Sequence, residues 1–191
     1  MELWEGDLHP MGMENEQIAV FGGGCFWCIE AVFNRLRGVK SAVSGYMGGQ
    51  VDKPTYRQVC GGDTGHVEVV QVTFDPREIS YKDLLEVFFS MHDPTTLNQQ
   101  GNDVGEQYRS VIFYMSEEQE KEAEETIAAL NEAKAFPEPV VTAVEPATTF
   151  YPAEGYHQEY FDNNRNQPYC QFVIAPKLAK FEKKFGEKMR A

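Results

Sequence analysis

Gln17-Ile18-Ala19-Val20-Phe21-Gly22-Gly23-Gly24-Cys25-Phe26-Trp27-Cys28 is the stretch on which the reading of this 191-residue chain turns. Gln17 to Phe21 predicts a short apolar strand that runs into three glycines, and a helix opens near Cys25 or Phe26. Ile29, Val32, Phe33 and Leu36 fall at i, i+3, i+4 and i+7, one apolar stripe, with Gly38 as the stop. Working outward, Val39 to Tyr46 reads as a strand before the turn Gly48-Gly49. His66 to Phe74 is the clearest strand, halted by Asp75-Pro76. Ser80 caps a second helix that carries Leu84, Leu85, Phe88 and Met91 on one face. Asp93 to Glu106 reads as a polar loop and Tyr108 to Met115 as a strand. Ser116 with Gln119 reads as a capping box for a third helix, striped by Ala123, Ile127 and Leu130. Val140 to Val144 adds a strand, Phe150 to Phe161 an aromatic segment, and Pro176 onward a helix with Leu178, Phe181 and Phe185. The order predicts an α+β (mixed α/β) fold. Its centre is a ferredoxin-like split β-α-β core with additional helices and an extended C-terminal segment. Residues 1–15 read as an N-terminal tail and 16–191 as a single catalytic domain.

Composition narrows the function classes. Apolar residues make up 42% and charged residues 25%, a globular balance. The formal net charge of −13 repels phosphate, which argues against nucleic acid and against an anionic membrane surface. No apolar run approaches the roughly 20 residues that span a bilayer. Met1 to Asn15 carries acids and no Lys or Arg, unlike a signal peptide, so a cytoplasmic location is expected. Thiols stay reduced there. Four cysteines (Cys25, Cys28, Cys60, Cys170) in such a chain point to catalysis or metal binding rather than a disulfide framework.

The glycines before Cys25 let backbone amides converge where a side chain would block them. The start of a helix offers unpaired N–H groups and the positive end of the dipole. A thiol there is expected to ionise more easily, and the thiolate is the nucleophile. Cys28 lies one turn further on, within reach of that sulfur. A phosphate loop is the other use of such a turn, but the Lys-Ser/Thr ending and GxGxxG are both absent. Phe26 and Trp27 read equally as core or as an apolar wall beside the sulfur. Glu68 shares a strand face with Val70, Val72 and Phe74. A carboxyl group there is desolvated and raised in pKa, able to donate a hydrogen bond near neutral pH, unless the strand twists it into solvent. By themselves Tyr56, Tyr156, His157 and Tyr160 read as packing, the loop from Gly101 to Tyr108 as surface, and Cys60 as structural.

Gly24-Cys25-Phe26-Trp27 resembles the active-site signature of the A-type peptide methionine sulfoxide reductases. The resemblance runs from about Ala19 to Phe185. It takes in Pro54-Thr55-Tyr56, Thr64-Gly65-His66-Val67-Glu68, Phe74-Asp75-Pro76, His92-Asp93-Pro94-Thr95-Thr96, Gln100-Gly101-Asn102-Asp103, Gln107-Tyr108-Arg109-Ser110 and Tyr156-His157-Gln158-Glu159-Tyr160, in the family's order. It implies that Cys25 is the nucleophile. Glu68 would be the acid on the sulfoxide oxygen, helped by Tyr56 and Tyr108. Phe26 and Trp27 would wall the substrate methyl group, with Asp103 and Tyr160 as further substrate contacts. The implied reaction reduces methionine S-sulfoxide through a Cys25 sulfenic acid and a disulfide reopened by thioredoxin. No metal or other cofactor is implied, and a monomer is expected. Two features depart from a familiar variant: Cys28 stands where Gly is frequent, and the Gly-rich C-terminal tail with two recycling cysteines is missing. The resolving thiol is therefore Cys28 or Cys170, with Cys28 favoured by nearness in sequence. Two other classes are a thiol oxidoreductase or peroxidase using Cys25 and Cys28, and a zinc module using both with two of Cys60, Cys170, His66 and His157.

Overall fold

The computed structural model describes residues 16–189, so the expected tail 1–15 lies outside the described residues. Strand β1 (Gln17–Gly22) leads through the glycine turn into helix α1 (Phe26–Phe33). Strand β2 (Val39–Met47), helix α2 (Tyr56–Cys60), strand β3 (Val67–Phe74) and helix α3 (Tyr81–Met91) follow. Then come the short strands β4 (Gln99–Gln100) and β5 (Asp103–Val104), strand β6 (Val111–Tyr114), helix α4 (Glu117–Glu132) and strand β7 (Ala143–Pro146). Strand β8 (Tyr151–Pro152), helix α5 (Tyr160–Asn163) and helix α6 (Ala175–Phe185) complete the sequence of elements.

Six strands form one sheet in the order β7-β6-β1-β3-β2-β8. The inner four, β6-β1-β3-β2, are antiparallel at every contact, with Phe21 opposite Val70 and Tyr46 opposite Glu68. That is the expected split β-α-β core, and β7, parallel to β6, and β8 extend its two edges. Strand alternation divides the apolar residues between faces. Ala19, Phe21, Val70, Val72 and Phe74 meet α1 and α3 on one side, where Phe21 stacks on Phe33 at 5.2 Å and on Phe88 at 4.9 Å. Val20, Val67, Val69 and Phe113 pack on the other, beneath Phe150 and Ala143. Each such large side chain contributes about 1.5–3 kcal/mol on burial. Glu68 belongs to the helix side, as the alternation predicts.

Several boundaries differ from the sequence reading, each for a local reason. Helix α1 stops at Phe33 rather than Gly38, because the Asn34 side chain turns to bond the backbone of Ala42. Leu36 instead bridges to Met189, and Gly38 makes a left-handed turn at φ 91°. Ser116 accepts the Gln119 amide, but the Gln119 side chain bonds Met115 N–H and Ile18 C=O instead of closing the box. Tyr108 leaves the strand for a tight turn over Glu106–Tyr108, and β7 starts later than Val140. Helix α2 is unforeseen, although Thr55 and Gln58 form a complete capping box in front of it.

The C-terminal segment binds the site elements together. Glu30 of α1, only 2% exposed, accepts bonds from Ser44 Oγ at 2.6 Å, from the Glu159 amide at 2.6 Å and from Asn34 Nδ2 at 3.3 Å. Glu159 itself sits at φ 52°, a left-handed backbone that needs support. We expect Glu30→Gln to destabilise the fold by about 2 kcal/mol, because an amide cannot accept both bonds as a carboxylate does. A thermal melt matching the parent chain would show that this carboxylate is not the tie.

Candidate active site

The glycine turn is squeezed between two side chains. A Cβ on Gly23 would lie 2.9 Å from the His92 ring. Gly24 has φ 96°, and a Cβ there would lie 2.6 Å from Gln100 Cγ. His92 is fixed from behind: Nδ1 is 2.7 Å from Phe88 C=O and Nε2 is 2.8 Å from Ser110 Oγ, which bonds Thr142 Oγ1 at 2.7 Å. Burial holds His92 down at about 4, so the ring is neutral, donating through Nδ1 and accepting through Nε2. The Gly24 amide donates to Tyr108 C=O at 3.2 Å, which ties the turn to the loop that carries Tyr108.

Cys25 stands at the N-cap position with extended backbone, and its half-buried thiol is in no disulfide. The expected acidification is overturned. Burial first, then the nearby Glu68 carboxylate and the Cys28 thiol, push the Cys25 thiol well above its ordinary value. The Trp27 amide and the Tyr169 hydroxyl pull the other way but lose. Burial is the largest cause, and the helix start does not offset it. The first free amide of α1, Phe26 N–H, donates to Glu68 Oε1 at 3.1 Å.

Glu68 is 1% exposed. Its second oxygen, Oε2, has no hydrogen-bond partner among the described residues. Burial pushes this carboxyl up to about 8; the Phe26 amide opposes that, and Asp103 adds to it. Around neutrality it is a protonated acid, as the apolar strand face predicts. Burial and the Glu68 charge likewise raise the Tyr56 and Tyr108 phenols, so both remain O–H donors. Tyr56 is held by its amide to Glu154 Oε2 at 2.9 Å, and Glu154 Oε1 accepts Tyr46 O–H at 2.9 Å.

Phe26 is fully buried, with Tyr46, Tyr56 and His157 around it. Trp27 is half-buried; its Nε1 donates to His157 Nδ1 at 3.0 Å, and its ring stacks on Tyr160 at 3.6 Å and 7°. Tyr169 was not singled out from the sequence. Its hydroxyl donates to Asp103 Oδ2 at 3.1 Å and lies 4.0 Å from Cys28 Sγ, so it links the C-terminal segment to the cysteine pair. It has no periodic pattern, and its place beside Cys170 was the one clue. Cys170 is buried at the start of a widened helical turn, Cys170–Ile174. Cys60 is exposed beside Tyr56 rather than packed inside.

A groove of about 1820 Å³ reaches Cys25 and Cys28, passing Asp103 and Tyr169, and continues between α3 and α6. Glu68, Tyr56 and Tyr108 are not among its lining residues; Glu68 acts on Cys25 and on both phenols, so the four groups are neighbours. For a zinc module the geometry is wrong. Both His66 ring nitrogens bond backbone, Nδ1 to Gly49 and Nε2 to Val51, and His157 Nδ1 is taken by Trp27. Among the described residues no three His, Cys, Asp or Glu side chains are grouped to hold a metal ion. Nor is any helix there long and apolar enough to cross a membrane.

Comparison with known proteins is consistent across three kinds of likeness. Residues 17–189 match the family model for peptide methionine sulfoxide reductase. Peptide methionine sulfoxide reductase MsrA of Deinococcus radiodurans is 57% identical over 179 residues, which is 94% of this chain and 86% of that protein. The Chromobacterium violaceum protein of the same name is 57% identical over 168 residues, 88% of this chain and 96% of its own length. Reduced Mxr1 from Saccharomyces cerevisiae superposes with a TM-score of 0.76 at 34% identity, covering 82% of this chain and 90% of its own. Mxr1 in complex with Trx2 shares the fold at 23% identity and a TM-score of 0.53, covering 80% and 90%.

Proposed function

The chain belongs to the peptide methionine sulfoxide reductase family, an oxidoreductase that reduces methionine sulfoxide, and from that premise we propose how its residues divide the work. The observation that carries the proposal is Glu68 Oε2: a buried, protonated carboxyl oxygen with no partner among the described residues, beside a free thiol. A sulfoxide oxygen is the acceptor such a group lacks. A general dithiol oxidoreductase or peroxidase has no need of this acid or of the two phenols beside it.

Cys25 attacks the sulfoxide sulfur. The oxygen gains charge as the bond forms, and Glu68, Tyr56 and Tyr108 donate to it. The thiol proton passes to that oxygen through the acid, so the raised Cys25 pKa is no obstacle in the net step. A thiol and a sulfoxide become a sulfenic acid and a thioether, with no proton drawn from outside. Phe26 and Trp27 wall the methyl group, while Asp103 and Tyr160 position the substrate. The S epimer at sulfur is assigned from the likeness to the A-type reductases, a separate enzyme type handling the other epimer. Cys28 then condenses with the sulfenic acid, and water leaves. The Cys28 amide donates to Cys25 C=O at 3.1 Å, so the two thiols share one tight turn, whereas Cys170 is buried within the C-terminal segment. An external dithiol such as thioredoxin reopens the disulfide by exchange. A monomeric, cytoplasmic enzyme in a reducing milieu goes with this cycle, and it needs no prosthetic group.

One equivalent of methionine sulfoxide added without reductant is expected to yield about one equivalent of methionine and a Cys25–Cys28 disulfide on peptide mapping. A Cys25–Cys170 crosslink would transfer the resolving role to Cys170, and no methionine at all would remove the proposed reaction.

A further inference from the structure

The groove that ends at Cys25 and Cys28 runs far beyond the reacting atoms, and its lining has a pattern. Its floor is apolar, with Phe89, Leu130, Phe136, Leu178 and Phe181. Its rim carries Lys82, Lys177, Lys180, Lys183 and Lys184. Half of the chain's ten lysines therefore edge one groove, in a chain of net charge −13. Four acids share the lining, and those bound only by neutral donors keep their charge, so the lysines of α6 carry the excess of positive charge. Asp83 pairs with Lys188 at 3.5 Å, Asp93 accepts Thr95 N–H and O–H, and Asp103 accepts Tyr169 O–H. Glu86 is the remaining one. Lys177, Lys180 and Lys183 form no ion pair among the described residues.

We propose that this groove selects methionine sulfoxide carried in acidic polypeptide segments. The proposal rests on the reaction assigned above and names its preferred substrate class. A groove of about 1820 Å³ lined from α3, α4 and α6 has room for a length of chain. Lys177, Lys180 and Lys184 succeed one another at about one helical turn, roughly 5 Å apart along α6. An extended chain advances about 3.3 Å per residue, so side chains about two positions apart on a bound chain match the spacing of this row.

Three peptides of equal length test this, each with a central methionine sulfoxide flanked by Glu, Gln or Lys. Methionine formation is followed in a single turnover without reductant. The Glu peptide is expected to react about tenfold faster than the Lys peptide at low ionic strength, with the gap closing in roughly 0.5 M salt. The double variant Lys180→Glu/Lys184→Glu should reverse the ranking of the Glu and Lys peptides. If the Gln peptide is not reduced by the parent enzyme, the reaction assignment fails. If it is reduced but the three rates are equal, the groove proposal fails by itself. A double variant impaired only in thioredoxin-driven turnover, with the peptide ranking intact, would assign the groove to the reductant and overturn the proposal too.

Discussion

Cys25→Ser is expected to lower methionine sulfoxide reduction by roughly 10⁴-fold or more, to the limit of detection. Sulfur is the attacking atom and also the atom that receives the oxygen, so a serine hydroxyl can replace neither function. Position 25 makes no capping bond and is half-buried, so the substitution leaves the fold in place. Thermal melts of the two proteins should therefore coincide within a few tenths of a kcal/mol. The decisive measurement is methionine released per enzyme in a single turnover. Residual release in the serine variant at even a tenth of the parent rate would mean that another thiol performs the attack.

Glu68→Gln should slow the same step by about 10²–10³-fold, the usual worth of a positioned acid or oxyanion donor. The pH dependence has a definite sign. Below about 8 the carboxyl is protonated and donates to the sulfoxide oxygen. As pH rises through about 8 it ionises, which removes the donor and places a negative charge beside Cys25, where it opposes thiolate formation. Both effects lower the rate, so single-turnover activity should fall above pH 8. The Gln variant should lack that descending limb. A variant that keeps the limb, or a parent enzyme whose rate is flat from pH 7 to 9, would detach the acid role from Glu68.

How much of this was visible in the sequence depends on whether a feature is local. The alternation Glu68, Val70, Val72, Phe74 placed a carboxyl on an apolar face, and the structure keeps it there with a raised pKa. The β-α-β-β-α-β order was legible because long apolar runs with turn residues between them decide it. What was not legible depends on contacts distant in sequence. The acidity of Cys25 reads one way from a helix start and the other once burial, and then the charge of Glu68 43 residues later, are in place. Tyr169 matters through Asp103, 66 residues away. Tyr56 and Tyr108 gain their setting from tight turns that carry no apolar period. The missed helix α2 is a different case: its Thr-x-x-Gln signature was in plain view, but five residues are too few to show a stripe.

One detail of the sheet bears on how such an enzyme survives its own clientele. Beyond the short β8, the side-chain amide of Gln158 takes up both backbone groups of Ser44, accepting from N–H at 3.0 Å and donating to C=O at 2.9 Å. At the opposite border β7 ends in Pro146, as β8 ends in Pro152. Exposed strand borders invite foreign chains to add themselves as further strands. Oxidised proteins arrive loosened, with unsatisfied backbone of their own. The glutamine holds the Ser44 groups at one border and proline, having no N–H, removes a donor from each, so both borders offer a foreign chain fewer main-chain partners.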